Sequence, residues 1–333
     1  MGAINSHGVG DYISPAGTGL IQVMSNQQPT IEINKLSKKY DRNKNFALHE
    51  LSLNIYPGEV YGFLGPNGAG KSTTIRLLMD FIRPTAGSAS ILGLDTLKQA
   101  VDVKRNVGYL SGDSDTYLKM TGRKFLNYMN ELQPAVSKKY VAELASRLKA
   151  DLNKPLGSLS RGNRQKIALI QALMHQPKVL ILDEPTSGLD PLMQDEFYLL
   201  INEAKERGST IFMSSHILSE VQKVCDKVGI IRSGKLVSEQ SIEQLATEAA
   251  QTFVIHFTGK PPLAELKAID GIKKVSVQKD GRVVLHVHSG LSKLFAVLAK
   301  HDVKDLSTME LNLEDQFMHY YQADTNNRGD KDV

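Results

Sequence analysis

The sequence predicts an α/β protein with a small α+β domain at its C-terminal end. Two stretches predict the α/β part. Glu59 to Leu64 (EVYGFL) is an apolar strand that runs into a glycine-rich loop and a helix, and Val179 to Glu184 (VLILDE) is a continuous apolar run ending in two carboxylates. A third observation predicts the α+β part. Beyond Thr252, strand, helix and turn signals recur in the order β-α-β-β-α-β.

Composition narrows the class. The 333 residues are 41% hydrophobic and 23% charged, which is ordinary globular make-up with room for more than one core. Lys+Arg number 40 against Asp+Glu 36, and a net charge of +4 over this length argues against nucleic acid as partner. The single cysteine, Cys225, excludes an internal disulfide framework, fits a reducing compartment and reads as a core thiol. No apolar run approaches the roughly 18 residues of a membrane span. Residues 1–29, rich in Gly, Ser, Asn and Gln, read as a disordered leader or expression remnant, with Met24 an alternative start. The opening MGAINS also fits a loose myristoylation pattern at Gly2 and Ser6.

Ordered sequence is expected from Thr30. TIEINKLSKKY alternates as a strand does, Leu51 to Ile55 (LSLNI) repeats the pattern, and Pro57-Gly58 makes a turn into the EVYGFL strand. The segment GFLGPNGAGKSTTIRLL then matches G-x-x-x-x-G-K-[ST] at Gly65, Gly70, Lys71 and Ser72. Backbone N–H groups wrap phosphates only where Cβ atoms are missing at the tightest points, which Gly65, Gly68 and Gly70 arrange. The helix opening near Lys71 adds its positive dipole end. The candidate nucleotide-binding segment is therefore Gly65, Pro66, Asn67, Gly68, Ala69, Gly70, Lys71, Ser72 and Thr73. Lys71 supplies charge to the β- and γ-phosphates, and the Ser72 hydroxyl is a hard ligand for Mg²⁺. In VLILDE the carboxylates sit at the ligand edge of an open sheet. Asp183 would hold Mg²⁺ and Glu184 would orient or deprotonate an attacking water. By itself the pair would equally cap a following helix.

Between these sites lies Leu159 to Gln165, LSRGNRQ. SGLD follows at Ser187 to Asp190, SSH at Ser214 to His216, and an aromatic, Tyr40, stands upstream of the phosphate loop. With these motifs in this order, Thr30 to about Glu239 resembles an ATP-binding-cassette (ABC) ATPase. The resemblance implies a P-loop NTPase cassette over residues 30–242, with a RecA-like core sheet, an antiparallel β subdomain and a helical subdomain at about 112–175. It implies that Ser160 and the N–H groups around Gly162 meet the γ-phosphate held by another monomer, so that two cassettes close head-to-tail around two ATP. It also implies that Asp190 couples the two sites and that His216 contacts the γ-phosphate and the attacking water. Tyr40 would stack on adenine, with Phe46 as rival.

The chain departs from the family pattern in two places. Arg161 and Asn163 replace the usual Gly and Gln of the signature, while Ser160 and Gly162 are kept. After the strand Val107 to Leu110 the family has a glutamine that touches Mg²⁺ and faces the membrane subunit; here Gly112 stands there, followed by Asp113. Asp113 offers a replacement oxygen for Mg²⁺, or belongs to a plain acidic turn. Glu131 to Arg164 has helical spacing, with Leu144, Leu148 and Leu152 on one face. The short separation from Lys71 to Ser160 leaves no room for a coiled-coil insertion.

Ile242 to Ala250 reads as a helical connector to the second domain, expected over residues 251–322 with a disordered tail at 323–333. Its elements are a strand at Thr252 to Phe257, a helix at Pro262 to Ile269 and a hairpin from Lys274 to His288 about Asp280-Gly281. A helix at Leu291 to Lys300, a strand at Ser307 to Leu311 and a helix at Leu313 to Tyr321 complete a ferredoxin-like sandwich. It resembles the extension of bacterial export-type cassettes, down to LEDQF at Leu313 to Phe317. His256, His286 and His288 offer a metal site or, with no carboxylate or cysteine to complete it, a solvated or dimer-facing surface.

Together these features predict the ATP-binding and hydrolysing subunit of an ABC transporter, an exporter, with ATP and Mg²⁺ as cofactors. Its expected partners are a transmembrane permease subunit and a second cassette, as homodimer or paired cassette. It would be peripheral on the cytoplasmic face of the cell membrane, without nucleic acid and without inserting directly. The competing readings are a soluble ABC-type ATPase acting on the ribosome or nucleic acid, and a weakly hydrolysing regulatory subunit.

Overall fold

A computed structural model of the chain describes residues 27–40, 45–112, 117–132, 136–248, 251–278, 280–287 and 289–309. In chain order the elements are β1 (Ile31–Lys39), β2 (Phe46–Ile55), β3 (Val60–Leu64), α1 (Lys71–Leu78), β4 (Ala86–Ile91), β5 (Leu94–Asp95), α2 (Ala100–Asn106), β6 (Val107–Leu110), α3 (Gly122–Leu132) and α4 (Lys138–Arg147). They continue with α5 (Arg161–Leu173), β7 (Val179–Asp183), α6 (Pro191–Glu206), β8 (Thr210–Ser215), α7 (Leu218–Val224), β9 (Lys227–Arg232), β10 (Lys235–Ser241) and α8 (Ile242–Glu248). The last part holds β11 (Gln251–Phe257), α9 (Leu263–Lys267), β12 (Ile272–Val277), β13 (Val283–Val287), α10 (Leu291–Leu298) and β14 (Val303–Met309).

The central sheet has the order β10-β9-β3-β8-β7-β6. Strands β9, β3, β8, β7 and β6 run parallel, and β10 adds an antiparallel edge. Every residue of β3, β7 and β8 is buried, because helices and a second sheet cover both faces. Alternation within one strand divides the core. Leu180 and Leu182 join the cluster made with α5, α6 and α7, whereas Val179 and Ile181 point into the cluster made with β1, β2 and α1. The register aligns Leu64 with Ser215 and Asp183 with Ser214. The loops after β3, β7 and β8 therefore emerge side by side at the carboxyl edge of the sheet, where open α/β sheets place their ligands.

The second sheet, β2-β1-β4-β5, is antiparallel and backs the phosphate-loop side of the core. The helical part, α3 to α5, is tied to α6 by Arg147, whose guanidinium bonds Glu196 at 2.6 Å and Glu203 at 2.7 Å; this pairing holds the Glu203 carboxyl below its usual range. The expected helical run from Glu131 to Arg164 is broken. Ser137 caps α4, which stops at Arg147, and a single turn at Leu156–Ser158 precedes α5. Leu144 and Leu148 are fully buried, but Leu152 lies beyond the helix end in a segment closed by Pro155, where a helix does not continue.

The C-terminal sheet has the order β12-β13-β11-β14 with α9 and α10 packed against it, around a separate core of Phe253, Ile255, Leu266, Leu285 and Leu294. The hairpin turns at Gly281, whose φ of +84° suits glycine. Several element bounds differ from expectation, among them the end of α10, at Leu298 rather than Lys300. The last strand begins at Val303 rather than Ser307, because its residues pair with β11 from Phe257 onward, and α9 ends at Lys267. His256 and His286 share a face of this sheet but lie four ladder positions apart, about 13 Å, and His288 is outside the described residues. Among the described residues no His, Cys, Asp and Glu group is arranged to hold a metal. Leader residues 1–26, LEDQF and the expected final helix are also outside them, and residues 27–29 form neither helix nor strand. Cys225 is buried, and burial pushes its thiol pKa well up.

Candidate functional site

The loop from β3 to α1 is shaped by three glycines for three different reasons. A Cβ on Gly65 would lie 2.4 Å from the Ile231 carbonyl oxygen of β9, so its absence lets the loop pack on the sheet. Gly70 has φ +116° and the Ala47 carbonyl 2.8 Å from a would-be Cβ. Gly68 has φ +80° with nothing within 4 Å, so its left-handed backbone faces open space where N–H groups meet an anion. Lys71, only 4% exposed, folds back across this loop. Its Nζ donates to the Gly65 carbonyl at 2.6 Å and the Pro66 carbonyl at 3.2 Å, and stands 3.5 Å from Glu184 Oε1.

Glu184 leaves β7 with φ +47°, a left-handed conformation costing a non-glycine residue on the order of 1–3 kcal/mol. Surrounding bonds hold it there. Its N–H donates to Ser214 Oγ at 3.0 Å, and its carbonyl accepts from Gln165 Nε2 at 3.3 Å. The carboxylate oxygen facing Lys71 also lies 3.4 Å from His216 Nδ1. Asp183, 6% exposed, accepts from Ser214 Oγ at 2.6 Å, and its other carboxylate oxygen is 3.5 Å from the place a Cβ on Gly112 would take. No atom blocks a side chain at position 112, so packing does not impose this glycine. A lysine, two carboxylates and a histidine thus converge on one glycine loop at a helix N-terminus, an arrangement that binds a polyphosphate and sets a base beside its terminal phosphate.

A second group of motif residues is organised around helix ends. Ser160 caps α5, its Oγ accepting from the Asn163 N–H at 3.3 Å, and Asp190 caps α6 by accepting from the Met193 N–H at 3.1 Å. The two caps belong to touching segments. A Cβ on Gly162 would lie 2.4 Å from the Gly188 carbonyl, and Arg161 donates to Ser187 Oγ at 2.9 Å.

Comparison with known proteins decides the family. Residues 48–187 match the family model described as ABC transporter. The chain is 36% identical to the bacitracin transport ATP-binding protein BcrA of Bacillus licheniformis, over 86% of this chain and 96% of that protein. The chain belongs to the ABC transporter family. The ABC transporter ATP-binding protein NatA of Bacillus subtilis is also 36% identical, over 65% of this chain and 91% of its own. An ATP-binding subunit of an ABC transporter, known by structure, superposes with a TM-score of 0.59 at 27% identity, covering 65% of this chain and 91% of that one. A dimeric bacterial ABC transporter cassette at 21% identity and TM-score 0.58 has the same fold, over 64% of this chain and 98% of that one.

The protein is the ATP-binding subunit of an ABC transporter and an ATPase, and such subunits pair with transmembrane components and dimerise. These transporter relatives do not favour the reading as a soluble ATPase of the ribosome or nucleic acid. Among the described residues no helix is long and apolar enough to cross a membrane. The structure brings Lys71, Asp183, Glu184 and His216 together with the phosphate loop, and Ser72 and Thr73 lie half-buried in the first turn of α1. Asp113 lies outside the described residues. Tyr40 follows β1 with Lys38 Nζ 5.3 Å from its ring centroid, while Phe46, 39% exposed, precedes Ala47, whose carbonyl a Cβ on Gly70 would meet. Gln165 and Ser214 carried no expectation although both stand inside the motifs read from the sequence; their signal was their place in LSRGNRQ and SSH. Glu220, described below, had no such signal.

Proposed function

We propose that this subunit drives an exporter by closing on a second cassette around two ATP, with the signature of each chain meeting the γ-phosphate held by the other. The observation that carries this reading is the convergence of Lys71 and His216 on a single Glu184 oxygen beside the phosphate loop. Lys71 and the N–H groups of Asn67 to Ser72 bind the β- and γ-phosphates. Glu184 takes the proton of the attacking water, and His216 orients that water and Glu184 together. Ser72 and Asp183 offer the hydroxyl and carboxylate oxygens that suit Mg²⁺, which supplies neutralisation of phosphate charge when bound. Asp113 is a candidate for the oxygen that Gly112 does not provide. A ring at Tyr40 or Phe46 stacks on adenine. Asp190, beside the signature, links the two sites.

The permease docks where the β6 end meets the helical part. A cleft of about 140 Å³ there is lined by Tyr109, Ser111, Tyr117, Phe125, Leu156 and Arg164. Tyr117 and Phe125 pack at 5.4 Å between ring centroids and supply an apolar rim suited to a short helix of a membrane partner. Similarity over nearly the whole chain to a bacitracin transport protein supports an exporter of an antibiotic-like substrate. The C-terminal domain is the export-type extension, and the protein sits on the cytoplasmic face of the membrane through its permease. The test is ATP-dependent dimerisation of Glu184→Gln, followed by size-exclusion chromatography. A dimer with ATP and a monomer with ADP support the reading; a monomer in both sinks the two-site dimer.

A further inference from the structure

Glu220 is 7% exposed and sits in the first turn of α7. A buried carboxylate is expensive unless its oxygens are satisfied. Here each oxygen takes one hydroxyl. Oε1 accepts from Thr186 Oγ1 at 2.6 Å, and Oε2 accepts from Ser215 Oγ at 2.6 Å. Both hydroxyls are themselves buried, at 4% and 1% exposure. Ser215 Oγ in turn accepts the Ile217 N–H at 3.0 Å, which fixes the backbone on the far side of His216.

What these hydroxyls belong to gives the carboxylate its meaning. Thr186 is two residues past Glu184, on the loop leaving β7. Ser215 is the last residue of β8 and immediately precedes His216, the first residue of the loop that follows. A different bridge, Asp183 and Glu184 to Ser214, already joins the ends of β7 and β8 at the sheet edge. Glu220 adds a second bridge beyond the reactive pair, so the 3.4 Å contact of Glu184 with His216 is held between two cross-links. Without Glu220 the ladder and Gln165 still hold the strand ends, but the tie between Thr186 and the residue before His216 is lost, beside a Glu184 backbone conformation that relaxes when released.

We propose that Glu220 is a positioning residue for ATP hydrolysis: by bridging Thr186 and Ser215 it fixes the Glu184–His216 separation on which attack by water depends. Its two side-chain bonds go to Thr186 and Ser215, so it acts through other residues. The inference rests on the reading of Glu184 and His216 given above. A displacement of about 1 Å at a reacting group is enough to lower turnover about 100-fold. The phosphate loop carries none of the bridge, so nucleotide affinity stays as it is.

The experiment is steady-state ATPase of the full chain, with kcat and KM separated, alongside direct binding of a fluorescent ATP analogue. Glu220→Ala is expected to lower kcat about 100-fold while KM and analogue affinity stay within about twofold. Glu220→Gln, which accepts one hydroxyl and donates to the other, should recover most of that loss. Thr186→Val, nearly isosteric, should lower kcat on its own and add little to Glu220→Ala, because the two remove one bridge. If Glu220→Ala does not fold, Thr186→Val carries the test alone by the same kcat-against-KM criterion. Wild-type kcat in Glu220→Ala or, failing that, in Thr186→Val overturns the proposal, as does a rise in KM with kcat unchanged. Glu184→Gln run in parallel separates the two levels: full turnover there removes the underlying reading, whereas its loss beside an unaffected Glu220→Ala removes only the bridge.

Discussion

The phosphate-loop half of the site and the signature half are built to different standards. Around the phosphate loop, Lys71, Asp183 and Ser214 are all buried; Lys71 reaches from the loop after β3 to Glu184 at the end of β7, and Ser214 of β8 bonds Asp183 of β7. Around the signature, Ser160 and Asp190 are exposed, and their hydrogen bonds go to their own helices. The first half is fixed by the core of its own chain. The second is a surface of two capped helix ends kept in mutual contact by Gly162, Gly188 and Arg161. The contrast teaches that the phosphate-loop half is preorganised within one chain, while the signature half is an exposed surface of the kind the proposed second cassette would need.

That contrast can be broken by substitution, and the largest effect is expected at Glu184. Glu184→Gln should lower the hydrolysis rate by roughly 10²–10⁴-fold, the contribution of a positioned base, while ATP affinity is kept; a phosphate-release assay measures it, and wild-type turnover would remove Glu184 from the role of base. Lys71→Ala should weaken ATP binding by about 1.5–3 kcal/mol, one charge-assisted contact, seen by titration with a fluorescent analogue. Unchanged affinity there would contradict the phosphate-loop reading. On the signature side, Gly162→Ala pushes a Cβ against the Gly188 carbonyl. It should cut turnover while the single chain binds ATP normally, and a parallel loss of binding would erase the distinction between the halves. The smallest effect belongs to Asp190→Ala. Losing the cap of α6 should cost about 1 kcal/mol, read as a lower midpoint in thermal unfolding.

The phosphate-loop half was the more legible of the two in sequence, for a physical reason. Backbone that must turn left-handed or approach another strand demands glycine, so Gly65, Gly68 and Gly70 announce the geometry by residue type alone. The run VLILDE likewise shows a strand buried on both faces. What the sequence hid were residues whose role depends on a partner far along the chain. Ser214 looks like any strand serine until register sets it beside Asp183. Glu220 looks like an ordinary helix-surface acid until Thr186 meets it. Periodicity also misled. Leu144, Leu148 and Leu152 keep a helical spacing although the helix stops at Arg147 and Lys149 turns left-handed at φ +50°, because a loop leucine can return to the same core. In the last strand, exposed residues such as Lys304 and Asp305 gave no alternation against a core, so its start was read too late.

The Lys71 ammonium already has three oxygen neighbours, from Gly65, Pro66 and Glu184. An incoming anion therefore competes rather than merely docks. Orthophosphate or sulfate would meet Lys71 with a few oxygens and reach little of the loop beyond it. A nucleoside triphosphate brings additional anchoring along the glycine loop and at its base, and so wins the exchange by a margin that small ions lack. Three oxygens fix the ammonium in one place, so a polyphosphate that reaches both the lysine and the glycine loop has more to gain there than a single small anion has.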